Sequence, residues 1–387
     1  MNIKIASKRI FNRYEWYFLS FILLLALSTH LYSSWGGLIW TIDSNTYWTA
    51  SRNIINEGKL TAADGGAYVF WPPLFPITLS LFSESSYYVF HSFSFLLGLF
   101  FIYRFLKLKY SITLSLMVLS VYTLTVYPYL LSSFLWTEVN FILFLYSGLY
   151  FFQKWNMDEN NHKYLMLAGI LFCLMCLQRN AGVFIMVGLS IYSIVLYFKN
   201  KDFKKLFSTG SALSISVIPV ILWNINRRIL FPEEYYIYQQ PFLADFLKNF
   251  KMVSNELIRL VLPTDTGLNS YIIIILLSII MMSIIYKKEN SLIITLITTY
   301  IFLFITLPLL EKSEIGRFLA PIIPLIILQT ISSSKYYIIK LDNNKIKNAL
   351  ILFFSIVLLY NIVRTVNNVE QWNYRSVHNP KSAKIFF

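Results

Sequence analysis

The sequence predicts an all-α, polytopic transmembrane bundle, and three observations carry that prediction. Hydrophobic residues make up 57% of the 387, with a mean hydropathy of +0.58. Charged residues are 13%, about half the share of an ordinary soluble domain. The apolar residues fall in runs near the length a bilayer span needs, about 20 residues with about 17 tolerated. Such a chain has more apolar surface than one water-soluble core could hide. Aromatic residues at 18% suit a protein anchored at two membrane interfaces.

Eleven runs are legible, near 16–36, 85–103, 111–131, 134–152, 164–179, 182–198, 207–225, 270–286, 291–309, 317–333 and 349–366. The first follows Lys4, Lys8, Arg9 and Arg13 and lacks a small-x-small cleavage site, so it reads as an uncleaved span. The fifth and sixth are short and separated only by Asn180 and Ala181, which leaves two spans or one re-entrant feature. Eleven spans place the N-terminus inside. On that topology 19 of the 33 Lys and Arg residues lie in inner segments, while 13 of the 19 acids lie outside. The inner side is then +13 and the outer side +1, the bias expected of a membrane protein. The net charge of +14 is therefore a matter of topology, and no nucleic-acid partner is implied. Cys173 and Cys176 lie i,i+3 within one apolar run and read as small core residues; no disulfide framework follows. His30, His91, His162 and His378 are scattered and suggest no metal cluster.

The inner loops are short, and the outer ones are unequal. Residues 37–84 form a long first outer loop and 227–269 another, with no soluble domain, so chemistry is expected on the outer face of a single membrane domain, 1–387. In the first loop Asp43, Tyr47, Ala50 and Ile54 have the spacing of one helix face, and Gly58 is placed to stop that helix. Asp43 stands where the chain leaves the first span. It is equally a favoured helix N-cap and a carboxylate placed to take a proton from a hydroxyl. Tyr68 to Pro76, with prolines at 72, 73 and 76, reads as a rigid aromatic corner that blocks helix until after Pro76. In the second long loop, Phe242 through Val261 carries apolar residues at helical spacing with Lys248, Lys251 and Arg259 between them, an interfacial amphipathic helix. Tyr235, Tyr236 and Tyr238 precede it and are candidates to stack on sugar.

Glu138 lies about a turn inside the fourth run. A charge at mid-bilayer costs roughly 2.5–3.5 kcal/mol, less near the interface, so an acid there invites a functional reading beside the plain one of a helix-dipole partner. The order Asp43, Tyr47, Ala50, Gly58, then a Pro-x-x-x-Pro segment resembles the GT-C superfamily of membrane glycosyltransferases, which includes the protein O-mannosyltransferases and the lipid A aminoarabinose transferases. Three later pieces fit. Leu131 to Glu138 resembles the second acidic site of that superfamily. Leu177-Gln178-Arg179-Asn180-Ala181-Gly182 resembles its basic residue followed by Gly. Glu314-Ile315-Gly316-Arg317-Phe318-Leu319-Ala320-Pro321-Ile322-Ile323-Pro324 resembles its late Arg-aromatic-x-x-Pro-x-x-Pro segment, with a plain local pair between Arg317 and Glu314, worth at most about 1 kcal/mol, as the other reading of that arginine. Ser44 follows Asp43 where the protein mannosyltransferases have a second acid.

The resemblance implies a polyprenyl-phosphate-linked sugar donor, a lipid or glycan acceptor hydroxyl, Asp43 as general base, and inversion at the anomeric carbon. Arg179 and Arg317 would bind the leaving phosphate, since guanidinium matches phosphate oxygens. Glu138 would position the acceptor, or hold a divalent cation jointly with Asp43; some relatives use a metal and others do not. Tyr47, Tyr68, Lys251 and Arg259 are candidate donor or sugar contacts. The location implied is a bacterial inner membrane, with the active site on its outer face. A transporter or flippase of lipid-linked saccharide is the rival class, as is an unrelated polysaccharide polymerase or ligase. A transporter predicts ionisable residues near mid-bilayer; here they sit at the outer ends of spans, which favours the enzyme.

Overall fold

The computed structural model describes residues 2–62, 65, 66, 68, 69, 71–158, 161–230, 242–261, 291–307, 314–340 and 344–381. The fold is all-α, as the apolar runs predict. Helix α1 spans Asn2–Ser33, α2 Ile42–Glu57, α3 Leu74–Ser80, α4 Glu84–Lys109, α5 Ile112–Thr123 and α6 Tyr127–Ser132. Then follow α7 Glu138–Met157, α8 His162–Gln178, α9 Gly182–Lys199, α10 Phe203–Leu230, α11 Phe242–Ile258 and α12 Ser291–Ile305. Helix α13, Ile315–Leu319, runs through a 3-10 turn, Ala320–Ile322, into α14, Ile323–Lys340; α15 is Asn344–His378. Among the described residues, six stretches are long and apolar enough to cross a membrane: Tyr14–Ser33, Glu84–Lys109, Gly182–Lys199, Phe203–Ile229, Ile315–Ser334 and Lys347–His378. The expected run at 270–286 lies outside the described residues, as do Tyr235, Tyr236 and Tyr238.

Polar pairs at both ends set α1 antiparallel to α4. At one end Glu15, buried, accepts from Tyr103 at 2.6 Å and from Lys107 at 2.5 Å. At the other, His30 bonds Ser92 at 2.9 Å and Ser34 bonds Tyr88 at 3.0 Å. Helix α4 packs on α7, α7 on α8, α8 on α10 and α9 on α12. The apolar stripes of these helices meet in one core that includes Leu99, Leu145, Phe172, Leu189 and Leu296.

Three sequence expectations are corrected. The run 111–131 is two helices, because Pro128 has no N–H and its ring would strike the carbonyl four residues back. The carbonyls freed there are satisfied: Thr125 donates to Tyr122 O, Tyr129 to Thr123 O and Thr365 to Leu124 O, at 2.7 to 3.0 Å. The helix of the fourth run begins at Glu138, with 134–137 non-helical. Pro76 does not hold off the helix. It sits in the first turn of α3, where the backbone N–H has no intrahelical partner to lose. The runs at 164–179 and 182–198 are two separate helices, and α11 falls where the amphipathic pattern placed it.

The end of α15 returns to the last turn of α1 and the segment that joins it to α2. Asn373 donates to Tyr32 O at 2.6 Å, Gly36 N–H to Ser376 at 3.1 Å, and Trp40 N–H to Pro380 O at 2.7 Å. Arg375 reaches Trp40 O at 3.3 Å, and Lys381 pairs with Glu84 at 3.1 Å.

Candidate active site

The two acids singled out in the sequence are brought together by backbone. Residues 39 and 134 form a parallel bridge: Ile39 N–H donates to Ser133 O and Leu135 N–H to Ile39 O, both at 2.9 Å. The strand-like segment before α2 thus lies along the one before α7, and each delivers a carboxylate at the start of its helix. Thr41 caps α2. Its hydroxyl accepts from Ser44 N–H, and Ser44 Oγ accepts in turn from Thr41 N–H at 2.9 Å. The same Thr41 oxygen accepts from Trp136 Nε1 at 2.9 Å, and Ser44 Oγ donates to Leu135 O at 2.9 Å. The cap role considered for Asp43 therefore belongs to Thr41. Asp43 lies in the first helical turn, with its carboxylate directed elsewhere. Gly58 ends α2 as the spacing predicts, in the left-handed region at φ 67°.

The arginines come from two turns. Arg179 ends α8 in extended backbone, and the chain re-enters α9 at Gly182. That turn is tight: a Cβ on Gly182 would lie 2.9 Å from Cys176 Cα and 3.1 Å from Met175 O. Arg317 sits in α13, which is held by Tyr300 OH to Phe318 O and by Tyr146 OH to Pro321 O, both 2.8 Å.

All four side chains meet. Arg317 Nη2 donates to Asp43 Oδ2 at 2.8 Å, its Nε to Glu138 Oε1, and its Nη1 to Glu314 Oε1 at 3.3 Å. Arg179 Nη1 pairs with the same Glu138 oxygen and lies 3.4 Å from the Thr137 hydroxyl, which donates to Glu138 Oε2 at 3.1 Å. Aromatic faces back both cations, Trp136 under Arg317 at 4.5 Å and Phe318 under Arg179 at 4.6 Å. Burial separates the acids. The Glu138 side chain is fully enclosed, whereas that of Asp43 keeps a fifth of its surface open.

Tyr47 and Tyr68 flank Asp43, and both are 1% exposed. Trp71 sits between their rings, at 5.4 and 6.2 Å. Burial first, then the Asp43 charge, holds both phenols well above their ordinary range, so both carry their protons. Two other candidates stand apart. Lys251 is exposed on α11. Arg259 joins a second ionic cluster, where Glu256 accepts from it at 3.2 Å, from Tyr127 at 2.9 Å and from Arg364 at 3.5 Å. That cluster adjoins the first at Gly316, beside Arg317.

No protein-family model and no curated protein sequence matches the chain. Solved structures do. The lipid A aminoarabinose transferase ArnT from Cupriavidus metallidurans, bound to undecaprenyl phosphate, is 13% identical, with a TM-score of 0.58 over 93% of this chain and 77% of that one. The oligosaccharyltransferase AglB from Archaeoglobus fulgidus, in complex with an inhibitory peptide and a dolichol-phosphate, is 12% identical, with a TM-score of 0.51 over 93% of this chain and 56% of its own. A second structure of the archaeal enzyme, tethered to an acceptor peptide, aligns at 0.56 over 97% of this chain and 13% identity. The fold is GT-C. The chain spans a little over half the length of the archaeal enzyme.

Within this fold, most of the supports were missed by sequence reasoning. Thr41, Trp136, Thr137 and Phe318 each touch one of the four charged residues or hold the turn that carries it, whereas Glu314 is the local partner expected for Arg317. Thr41-x-x-Ser44 was a readable capping signal, although a Ser at its last position departs from the usual Glu or Gln. The donor set does not suit the divalent cation considered for Asp43 and Glu138. Both carboxylates already hold guanidinium groups, and among the described residues no third His, Cys, Asp or Glu completes a ligand group with them.

Proposed function

We propose that this chain is an integral-membrane glycosyltransferase that moves a sugar from a polyprenyl-phosphate-linked donor to a hydroxyl acceptor, with Asp43 as general base. One observation carries the reading. In a fold shared with lipid- and peptide-modifying transferases, Asp43, Glu138, Arg179 and Arg317, spread over 274 positions, form one ion-paired cluster of which Asp43 is the accessible acid. ArnT is a structure holding undecaprenyl phosphate and AglB one holding dolichol-phosphate, which supports a lipid-phosphate donor.

In this mechanism the acceptor oxygen attacks the anomeric carbon and its proton passes to Asp43. The bond from that carbon to the phosphate oxygen breaks, polyprenyl phosphate leaves, and the configuration inverts. Negative charge grows on the leaving phosphate, so preorganised cations there lower the barrier. Arg317 serves by exchanging its longest contact, that with the partly open Glu314, for a phosphate oxygen. Glu138, sealed beneath, acts by holding both guanidinium groups in place. Tyr68 and Tyr47 border the substrate, whereas Lys251 and Arg259 stand away from it.

The whole chain, 1–387, functions as one membrane domain in this reading. Its loops 37–84 and 227–269 lie on the outer face of a bacterial inner membrane, with the N-terminus inside. The test is transfer of labelled sugar from a polyprenyl-phosphate donor by the purified protein. Asp43→Asn should cut the rate by about 10²–10⁴-fold, the usual contribution of a general base. Undiminished transfer by that variant removes the mechanism.

A further inference from the structure

A buried hydroxyl without a hydrogen-bond partner is costly, roughly 1–3 kcal/mol, and such groups are rare in folded proteins. Tyr47 and Tyr68 carry two of them within reach of the Asp43 charge. Neither phenol oxygen has a partner among the described residues, and neither has measurable solvent access. Their rings are well fixed: Tyr47 packs edge-on against Trp71 at 5.4 Å and Phe75 at 5.0 Å, one helical turn beyond Asp43. Rigid apolar support with an unmet polar tip is the arrangement expected of a group that waits for a ligand.

The chemistry of the surroundings narrows the ligand. Both phenols keep their protons and so offer donors. A second anion placed there would face Asp43 across a poorly hydrated gap and be repelled. A neutral sugar hydroxyl meets both demands, accepting from a phenol while donating its own proton toward the carboxylate.

We propose that Tyr47 and Tyr68 are the sugar-reading residues of the site, donating their phenol protons to hydroxyls of the glycosyl unit seated against Asp43. This rests on the glycosyl-transfer reading and gives it a recognition element. A site built around hydroxyl donors discriminates strongly against a ligand that leaves them unmet.

The experiment uses the full-length protein in detergent with undecaprenyl-phosphate glucose and undecaprenyl-phosphate mannose, following release of undecaprenyl phosphate in the presence of extracted membrane lipid. Tyr47→Phe and Tyr68→Phe each remove one oxygen and keep the ring. We expect kcat/KM to fall about 10- to 100-fold in each variant, the loss of one well-placed bond. The melting temperature should hold or rise, because an unmet hydroxyl has been deleted. Inhibition by free undecaprenyl phosphate, which has no sugar, should be unchanged. Rates within twofold of the parent protein overturn the proposal. So does a lower melting temperature, which would mean that the hydroxyls have protein partners. Weaker inhibition by undecaprenyl phosphate overturns it too, because the phenols would then hold phosphate. Absence of release by the parent protein from either donor would instead count against the transferase reading, while the melting comparison still tests the unmet hydroxyls.

Discussion

Replacing Glu138 by Gln isolates what holds the site together. The carboxylate is fully enclosed, and one of its oxygens serves both Arg179 and Arg317. Glutamine keeps the shape and removes the charge. The two buried guanidinium groups then keep the carboxylates of Asp43 and Glu314, both of which bond to Arg317. Breaking a buried pair by removing one partner costs about 3–5 kcal/mol, because the remaining charge is uncompensated. Unfolding entropy of about 2 cal/mol/K per residue makes roughly 0.8 kcal/mol/K for a chain of 387, so the melting temperature should drop by about 4–6 °C. The nine tryptophans give the fluorescence signal for that measurement in detergent. Asp43→Asn is the control. Its pair with Arg317 is partly open and should contribute only about 1 kcal/mol or less, so this variant should lose transfer and keep its melting temperature within about 1–2 °C. The double variant Glu138→Gln with Arg179→Gln should melt above the sum of the single effects, since the second change removes the stranded charge. A Glu138→Gln protein as stable as the parent, or strict additivity in the double variant, would refute the argument.

Other outcomes follow from the supports. Thr41→Ala removes the cap of α2 and strands the buried Trp136 N–H, for about 2–4 kcal/mol together; transfer should fall with stability, and Thr41→Ser should restore both. Gly182→Ala forces a Cβ against the backbone of Met175 and Cys176, which cannot retreat as a side chain would. It should cost about 1–3 kcal/mol and weaken transfer by shifting Arg179, and a variant melting with the parent would contradict this. Chelation with EDTA should leave transfer within twofold, because Asp43 and Glu138 hold guanidinium groups; loss on chelation with recovery on adding a divalent ion would show that a metal displaces them.

The positions of most helices were legible in the apolar runs, since a span must be long and continuous in hydrophobicity. Breaks inside those runs were less legible. Pro128 lies among apolar neighbours, and hydropathy is blind to the N–H it lacks. The charged residues were visible because an acid or arginine at the end of a span is unusual in itself. Their partners were not. Arg317 meets Asp43 across 274 positions and Glu138 across 179, and no local pattern encodes such pairings. Asp43 as a cap was a sound local inference defeated by a neighbour two residues earlier, because Thr41 satisfies the helix end and Trp136 at once.

The grip of residues 373–381 on 32–40 has a consequence for biosynthesis. The ribosome makes the Asp43 segment more than 330 residues before the stretch that holds it. Until that stretch is made, the segment lacks the bonds to Asn373, Ser376 and Pro380 that secure its approach. A chain cut short near residue 370 would carry that segment unfastened.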